Sequence, residues 1–204
     1  MIKQDRTPTR EKILRVAAKM FSERGYDGVS TRDIANVIGI NSASIYYHFP
    51  SKAALLQSLF RLYSTERQKQ SPDLEELLRL AETDSPHAVL MKSAFYYSDE
   101  MSEILDQIIV VATHGIGINP ESDCFIRENI FDPTRNTLKP LLERMVELGR
   151  INPFDINAFL GIFSFYCYSA AALNNSSFKQ SIAEFQSAMS YLFSLIAPIA
   201  SKQK

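Results

Sequence analysis

A chain of 204 residues, 46% hydrophobic and 22% charged, has enough apolar material for one large packed domain or two small ones, which excludes a disordered chain. Its two cysteines, Cys124 and Cys167, stand 43 positions apart without a Cys-x-x-Cys pair, and no apolar leader opens the sequence; a disulfide scaffold is excluded and a reducing cytoplasm expected. The net charge of −1 conceals an asymmetry, because residues 1–52 carry nine Lys or Arg against five acids (+4) and the remainder 13 against 18 (−5), a basic head suited to a polyanion on an acidic body.

Apolar spacing is helical nearly throughout, with no internal repeat and no strand-like alternation. Thr7 followed by Pro8 reads as a helix start, and Ile13, Val16, Ala17, Met20 and Phe21 then fall on one face until Gly25. Ser30 and Asp33 form an S-x-x-D capping box for a second, two-turn helix with an Ile34, Val37, Ile38 stripe ending at Gly39. Asn41 caps a third helix from Ser42, and Pro50-Ser51 breaks the chain before a longer fourth helix running from Lys52 through Leu55, Leu56, Leu59, Phe60 and Tyr63. Further helices are expected at about 72–83, at 86–113 with a break near Ser98, and at 133–148, where Pro140 should kink or restart the helix and Gly149 should end it. The stretch 113–123, THGIGINPESD, reads as a loop. The last two helices are placed at 154–173 and 178–200. Residues 156–178 hold no charge, a length that could span a bilayer, yet they include Asn157, Gly161, Ser164 and Ser169 and lack basic flanks. A helix buried between the body and a partner subunit is the preferred reading.

Two short helices joined by a glycine-containing turn make a helix-turn-helix. If Ile40, Ile45 and Phe49 face a small core, Ser42, Ala43, Tyr46 and Tyr47 lie on the opposite, exposed side. Rings with polar tips suit a phosphate-lined groove, the small residues 42–44 allow close approach of the backbone, and Tyr, His and Lys side chains can each bond phosphate oxygens.

The stretch TRDIANVIGINSASIYYHFPSK resembles the DNA-binding signature of the TetR family of transcriptional regulators, the likeness covering about residues 8–60. The resemblance implies phosphate contacts from Thr31, Ser44, Tyr46, His48 and Lys52, and base contacts from Arg32, Ser42, Ala43 and Tyr47. With no Asn, Gln or Arg in the middle of the reading helix, bidentate base readout is limited to Arg32 and DNA shape should carry much of the specificity. It further implies an all-α chain: an N-terminal three-helix helix-turn-helix DNA-binding domain, residues 1–52, followed by a larger helical ligand-binding and dimerisation domain, residues 53–204. The expected function is that of a ligand-responsive repressor, a homodimer on a palindromic double-stranded operator, released by a small molecule that shifts the fourth helix.

Candidate pocket walls are Met91, Phe95, Tyr96, Met101, Ile104, Ile108, Phe125 and Phe165, with His114 as a polar orienting group; their aromatic and sulfur content suits an apolar or aromatic effector. The three histidines, His48, His87 and His114, have no metal-site spacing, so neither metal nor cofactor is expected. Two alternatives are a thiol-dependent enzyme pairing Cys124 or Cys167 with His114, and a membrane-associated helical interaction protein. No nucleophile elbow or phosphate loop accompanies the first.

Overall fold

The computed structural model describes residues 9–70, 73–94, 102–172, 187, 188 and 190–196, and the chain is all-helical there, without a strand among the described residues. The helices in chain order are α1 (Thr9–Arg24), α2 (Thr31–Ile38), α3 (Ser42–His48), α4 (Lys52–Gln70), α5 (Leu74–Thr83), α6 (Pro86–Ala94), α7 (Ser102–His114), α8 (Pro120–Ile126), α9 (Asp132–Glu147) and α10 (Ile156–Ala172). They form two compact units. One contains α1–α3, α4 as far as Gln68, α7, and α8 as far as Phe125; the other contains α5, α6, α9, α10 and the helical residues 190–196.

In the first unit α1 packs on α2, α3 and α7. Ile13, Ala17, Ala18 and Phe21 are fully enclosed, with Leu14 and Met20 nearly so, a broader face than the expected stripe. Ile34, Ile45, Leu55, Leu59, Tyr63 and Ile108 belong to the same unit and are fully buried. The α8 residue Phe125 stacks on Phe60 of α4, 4.3 Å between ring centroids, and meets Tyr63 edge-on at 5.1 Å.

In the second unit α9 packs on α5, α6 and α10. Leu77, Leu90, Leu138, Leu141, Leu142, Met145, Phe159, Phe163 and Phe193 share its core. Arg150 ties the end of α5 to the chain beyond α9, donating to the backbone carbonyls of Glu82, at 2.7 Å, and of Asp84. Arg144 adds an exposed pair with Glu82 at 2.6 Å. Such exposed, solvent-screened pairs add little, so the apolar core dominates.

Several expectations need correction. Thr7-Pro8 and the break near Ser98 lie outside the described residues. Val37 is 62% exposed rather than part of the buried stripe; Ala35 takes its place, because Ile34, Ala35 and the half-buried Ile38 define the inward arc of α2. The expected loop at 113–123 shrinks to 115–119, with α7 running through His114 and α8 starting at Pro120. Gly115 permits this tight passage: a Cβ there would collide with the Ser122 hydroxyl and come within 2.7 Å of the Asn119 amide. A π-helical turn, Arg127–Phe131, then joins α8 to α9. Pro140 neither ends nor restarts a helix, since α9 runs through it before Gly149 (φ +64°) stops it.

Candidate nucleic-acid interface

The first four helices place the candidate DNA-contacting residues. At the start of α2 the Ser30 hydroxyl accepts a hydrogen bond from the Asp33 N–H at 3.2 Å, and the Asp33 carboxylate accepts from the Ser30 N–H at 2.8 Å. These bonds from Ser30, with the Arg24 and Arg32 charges, hold the Asp33 carboxyl below its ordinary range. At the far end of α2, Gly39 adopts φ +79°, where a side chain would be strained, and donates to the Ala35 and Asn36 carbonyls. The chain then turns into α3, where Asn41 accepts from the Ala43 N–H at 2.9 Å.

Within α3, Ile45 is fully buried and Phe49, just past its end, is 2% exposed. The opposite side is open: Tyr46 is 52% and Tyr47 85% exposed, with Ala43 exposed and Ser42 and Ser44 half-buried. Ile40 is half-buried rather than core. The Tyr46 hydroxyl lies 3.1 Å from the Thr31 hydroxyl, so residues at the start of α2 and in the middle of α3 are brought to one point. His48 is half-buried, its ring edge-on to Tyr47 at 5.1 Å. Arg32 is exposed on the first turn of α2.

Lys52 opens α4, where the Ser51 hydroxyl accepts from the Ala54 N–H at 3.0 Å. Its ammonium sits on aromatic rings, 4.1 Å from the Tyr26 centroid and 5.8 Å from that of Phe21. Arg10 likewise places its guanidinium 5.1 Å from the centre of the Phe49 ring. Neither ring contact was legible in the sequence, because Tyr26 and Lys52, or Arg10 and Phe49, are joined only by the tertiary packing of the first four helices. The one available signal was an aromatic residue directly after the helix-stopping Gly25.

The candidate pocket residues do not behave as one set. Phe95, Tyr96 and Met101 lie outside the described residues. Ile104, Ile108 and Phe125 are buried in the first unit, and Met91 is half-buried at the margin of the second unit's core. His114 is exposed at the end of α7, and Phe165 is 69% exposed on α10. A cleft of about 240 Å³ in the second unit is lined instead by Ser85, Pro86, His87, Leu90, Ile151, Phe193 and Ser194, where the His87 Nε2 lies 3.0 Å from the Ser190 hydroxyl. Cys124 is half-buried on α8. Among the described residues no three His, Cys, Asp or Glu side chains gather as metal ligands, and no helix is long and apolar enough to cross a membrane.

A capped two-helix reader with an open aromatic face, on an all-helical chain, defines a helix-turn-helix protein. Residues 13–59 match the family model described as bacterial regulatory proteins, tetR family. The chain is 46% identical over 48 residues to the biofilm operon icaADBC HTH-type negative transcriptional regulator IcaR of Staphylococcus aureus (strain Newman), covering 24% of this chain and 26% of that one. It is 42% identical over 52 residues to the HTH-type transcriptional repressor KstR2 of Mycolicibacterium smegmatis, covering 26% and 25%. The chain thus spans about a quarter of the length of the curated relatives it matches. Over nearly its whole length it is similar in fold to the TetR family regulator PfmR of Thermus thermophilus, with TM-score 0.67, 24% identity, and 97% and 100% of the two chains covered. A TetR family regulator from Agrobacterium tumefaciens gives TM-score 0.65 and 25% identity, with 92% and 97% covered. Residues 13–59 thus match the DNA-binding region of the tetR family of bacterial regulatory proteins, and the fold over nearly the whole chain is similar to that of TetR family regulators.

Proposed function

We propose that this protein is a cytoplasmic transcriptional repressor that binds a palindromic double-stranded operator as a homodimer and leaves it when a small apolar or aromatic effector binds. The observation that carries the reading is the division of α3 into two faces, with Ile45 enclosed and Ala43, Tyr46 and Tyr47 exposed. A monomeric helix without a partner surface has little reason to expose two adjacent tyrosines. A phosphate-lined groove gives their rings and hydroxyls contacts that water does not.

Thr31, Ser44, Tyr46, His48 and Lys52 contact phosphates in this reading, Thr31 and Tyr46 sharing one phosphate through their paired hydroxyls. Arg32, Ser42, Ala43 and Tyr47 face base edges. The functional division falls at Lys52, with residues 1–52 reading DNA and residues 53–204 binding the effector and the second subunit. Residues Met91, Phe95, Tyr96, Met101, Ile104, Ile108, His114 and Phe125 remain the candidates for the effector. Phe165 is better assigned to the subunit contact, since its ring faces outward on α10 beside the exposed Ile162.

Selection of duplexes from a random pool, followed by titration of the recovered sequence, tests the reading. The expected result is a two-fold symmetric site bound at least about 1,000-fold more tightly than unrelated DNA. Recovery of no preferred sequence, with affinity equal for all duplexes, would remove the operator reading.

A further inference from the structure

The rings under Lys52 form a built seat. Phe21 is fully buried on α1, and Tyr26 meets it edge to face with 5.3 Å between centroids. The pair is therefore anchored to the core of the unit rather than hung on a loop. The Lys52 ammonium lies 4.1 Å from the Tyr26 centroid, within the range where a ring face attracts a cation. Burial on this seat lowers the proton affinity of the amine, against the opposing Asp27 charge, as expected for an ammonium that has given up part of its water.

We propose that Tyr26, backed by Phe21, is a positioning residue for phosphate binding by Lys52. A lysine on the first turn of a helix, left in water, spreads over many rotamers and must be ordered each time it meets a phosphate. The ring face holds the ammonium on one side just past the end of α3 and leaves its other side to donate to a phosphate oxygen. The ordering cost is met in the folded protein before DNA arrives. This inference rests on Lys52 being a phosphate contact, as assigned above.

The experiment is a double-mutant cycle on the full-length protein with Tyr26→Leu, Lys52→Gln and the double variant, together with Tyr26→Phe. The probe is a duplex recovered from the random pool, titrated at two salt concentrations. Tyr26→Leu is expected to weaken binding about three- to tenfold when Lys52 is present and less than about twofold in the Lys52→Gln background, while Tyr26→Phe binds as the parent does. Equal losses in both backgrounds would show that Tyr26 supports only the fold of the head, and would overturn the inference. A Lys52→Gln variant with unchanged affinity and salt slope would instead remove the phosphate contact itself, a separate failure. Should Tyr26→Leu not fold, the ε-methylene proton resonances of Lys52 in the parent decide. They are expected upfield of their free-lysine position through the ring current, and an unshifted resonance would overturn the seat.

Discussion

Arg32 and Lys52 are both basic and both sit on the first turn of a helix, yet their surroundings differ, in keeping with the different roles proposed for them. Arg32 is exposed, while Lys52 is half-buried over two rings. Lys52→Ala should weaken binding to all duplexes alike and lower the salt slope by about 0.9 per half-site. Arg32→Ala should cost about 1–3 kcal/mol of discrimination at one base pair in each half-site. Titrations against operator and single-base mutants at two salt concentrations separate the two, and the reverse pattern would mean that the roles are exchanged. A second residue-scale prediction concerns Asp106 on α7, whose carboxyl is pushed up to about 6 by burial and by the Glu103 charge. A carboxyl raised in the folded state favours folding in its protonated form, so its contribution is present below about pH 4 and lost as pH rises through about 6. Asp106→Asn should therefore raise stability at pH 8 by about 1 kcal/mol, a figure reduced for the solvent that still reaches the group, and change little at pH 4. Denaturant melts at the two pH values measure it. The exposure of Tyr47 could be read from helix periodicity and the place of Arg32 from the family resemblance, but the environment of Lys52 depends on Tyr26, far away in sequence.

The helix boundaries show which rules are local. Ser30, Gly39, Asn41 and Gly149 act within a turn of their own position, and each does in the structure what its chemistry dictates. Ser30→Ala should lower stability by about 1 kcal/mol, because it leaves the Asp33 N–H without its side-chain acceptor; thermal or urea unfolding reads this directly. Pro140 shows the opposite case, where packing overrides propensity. Leu138, Leu141, Leu142 and Met145 are buried on both sides of it in one continuous helix, and the apolar row holds α9 together across the missing hydrogen bond. Pro140→Ala should therefore stabilise the protein, by up to about 3 kcal/mol, with the same unfolding assay as the check. The short 115–119 turn and the π-helical turn after α8 had no comparable sequence signal, since they depend on how Gly115 meets Ser122 and on how α9 is seated.

At the scale of the molecule, the apolar residues of α10 and of 190–196 divide between two faces. Phe159 and Phe163 on α10, with Phe193 and Ile196, fill the core of the second unit. Ile162, Phe165, Tyr191 and Leu195 point outward and are each at least 60% exposed. Phe193 and Ile196 are therefore internal packing and are closed to a second subunit. The proposed homodimer uses the outward set, and subunit burial of that face replaces any need for a membrane. Phe165→Glu and Leu195→Glu should give a folded monomer by light scattering with an unchanged helical spectrum, whereas a charge at Phe163, which is 3% exposed, should unfold the unit. If both outward variants remain dimeric, the interface lies elsewhere. The proposed effector pocket is the least legible part of the sequence, because an aromatic residue in a helical pattern reads the same whether it lines a cavity, a core or an interface.

The separation of duties within α3 also bears on how such a protein changes its target over time. Ile45 and Phe49 hold the helix in place, Asn41 caps its start, and the side chains at Ala43 and Tyr47 reach outward without supporting any of this. If these two positions face base edges as proposed, new side chains there alter which duplex is preferred while the fold stays as it is. A duplicated copy of the gene could therefore acquire a different operator in single steps, each intermediate remaining folded, and drift away from its parent's regulatory circuit without passing through an unstable ancestor.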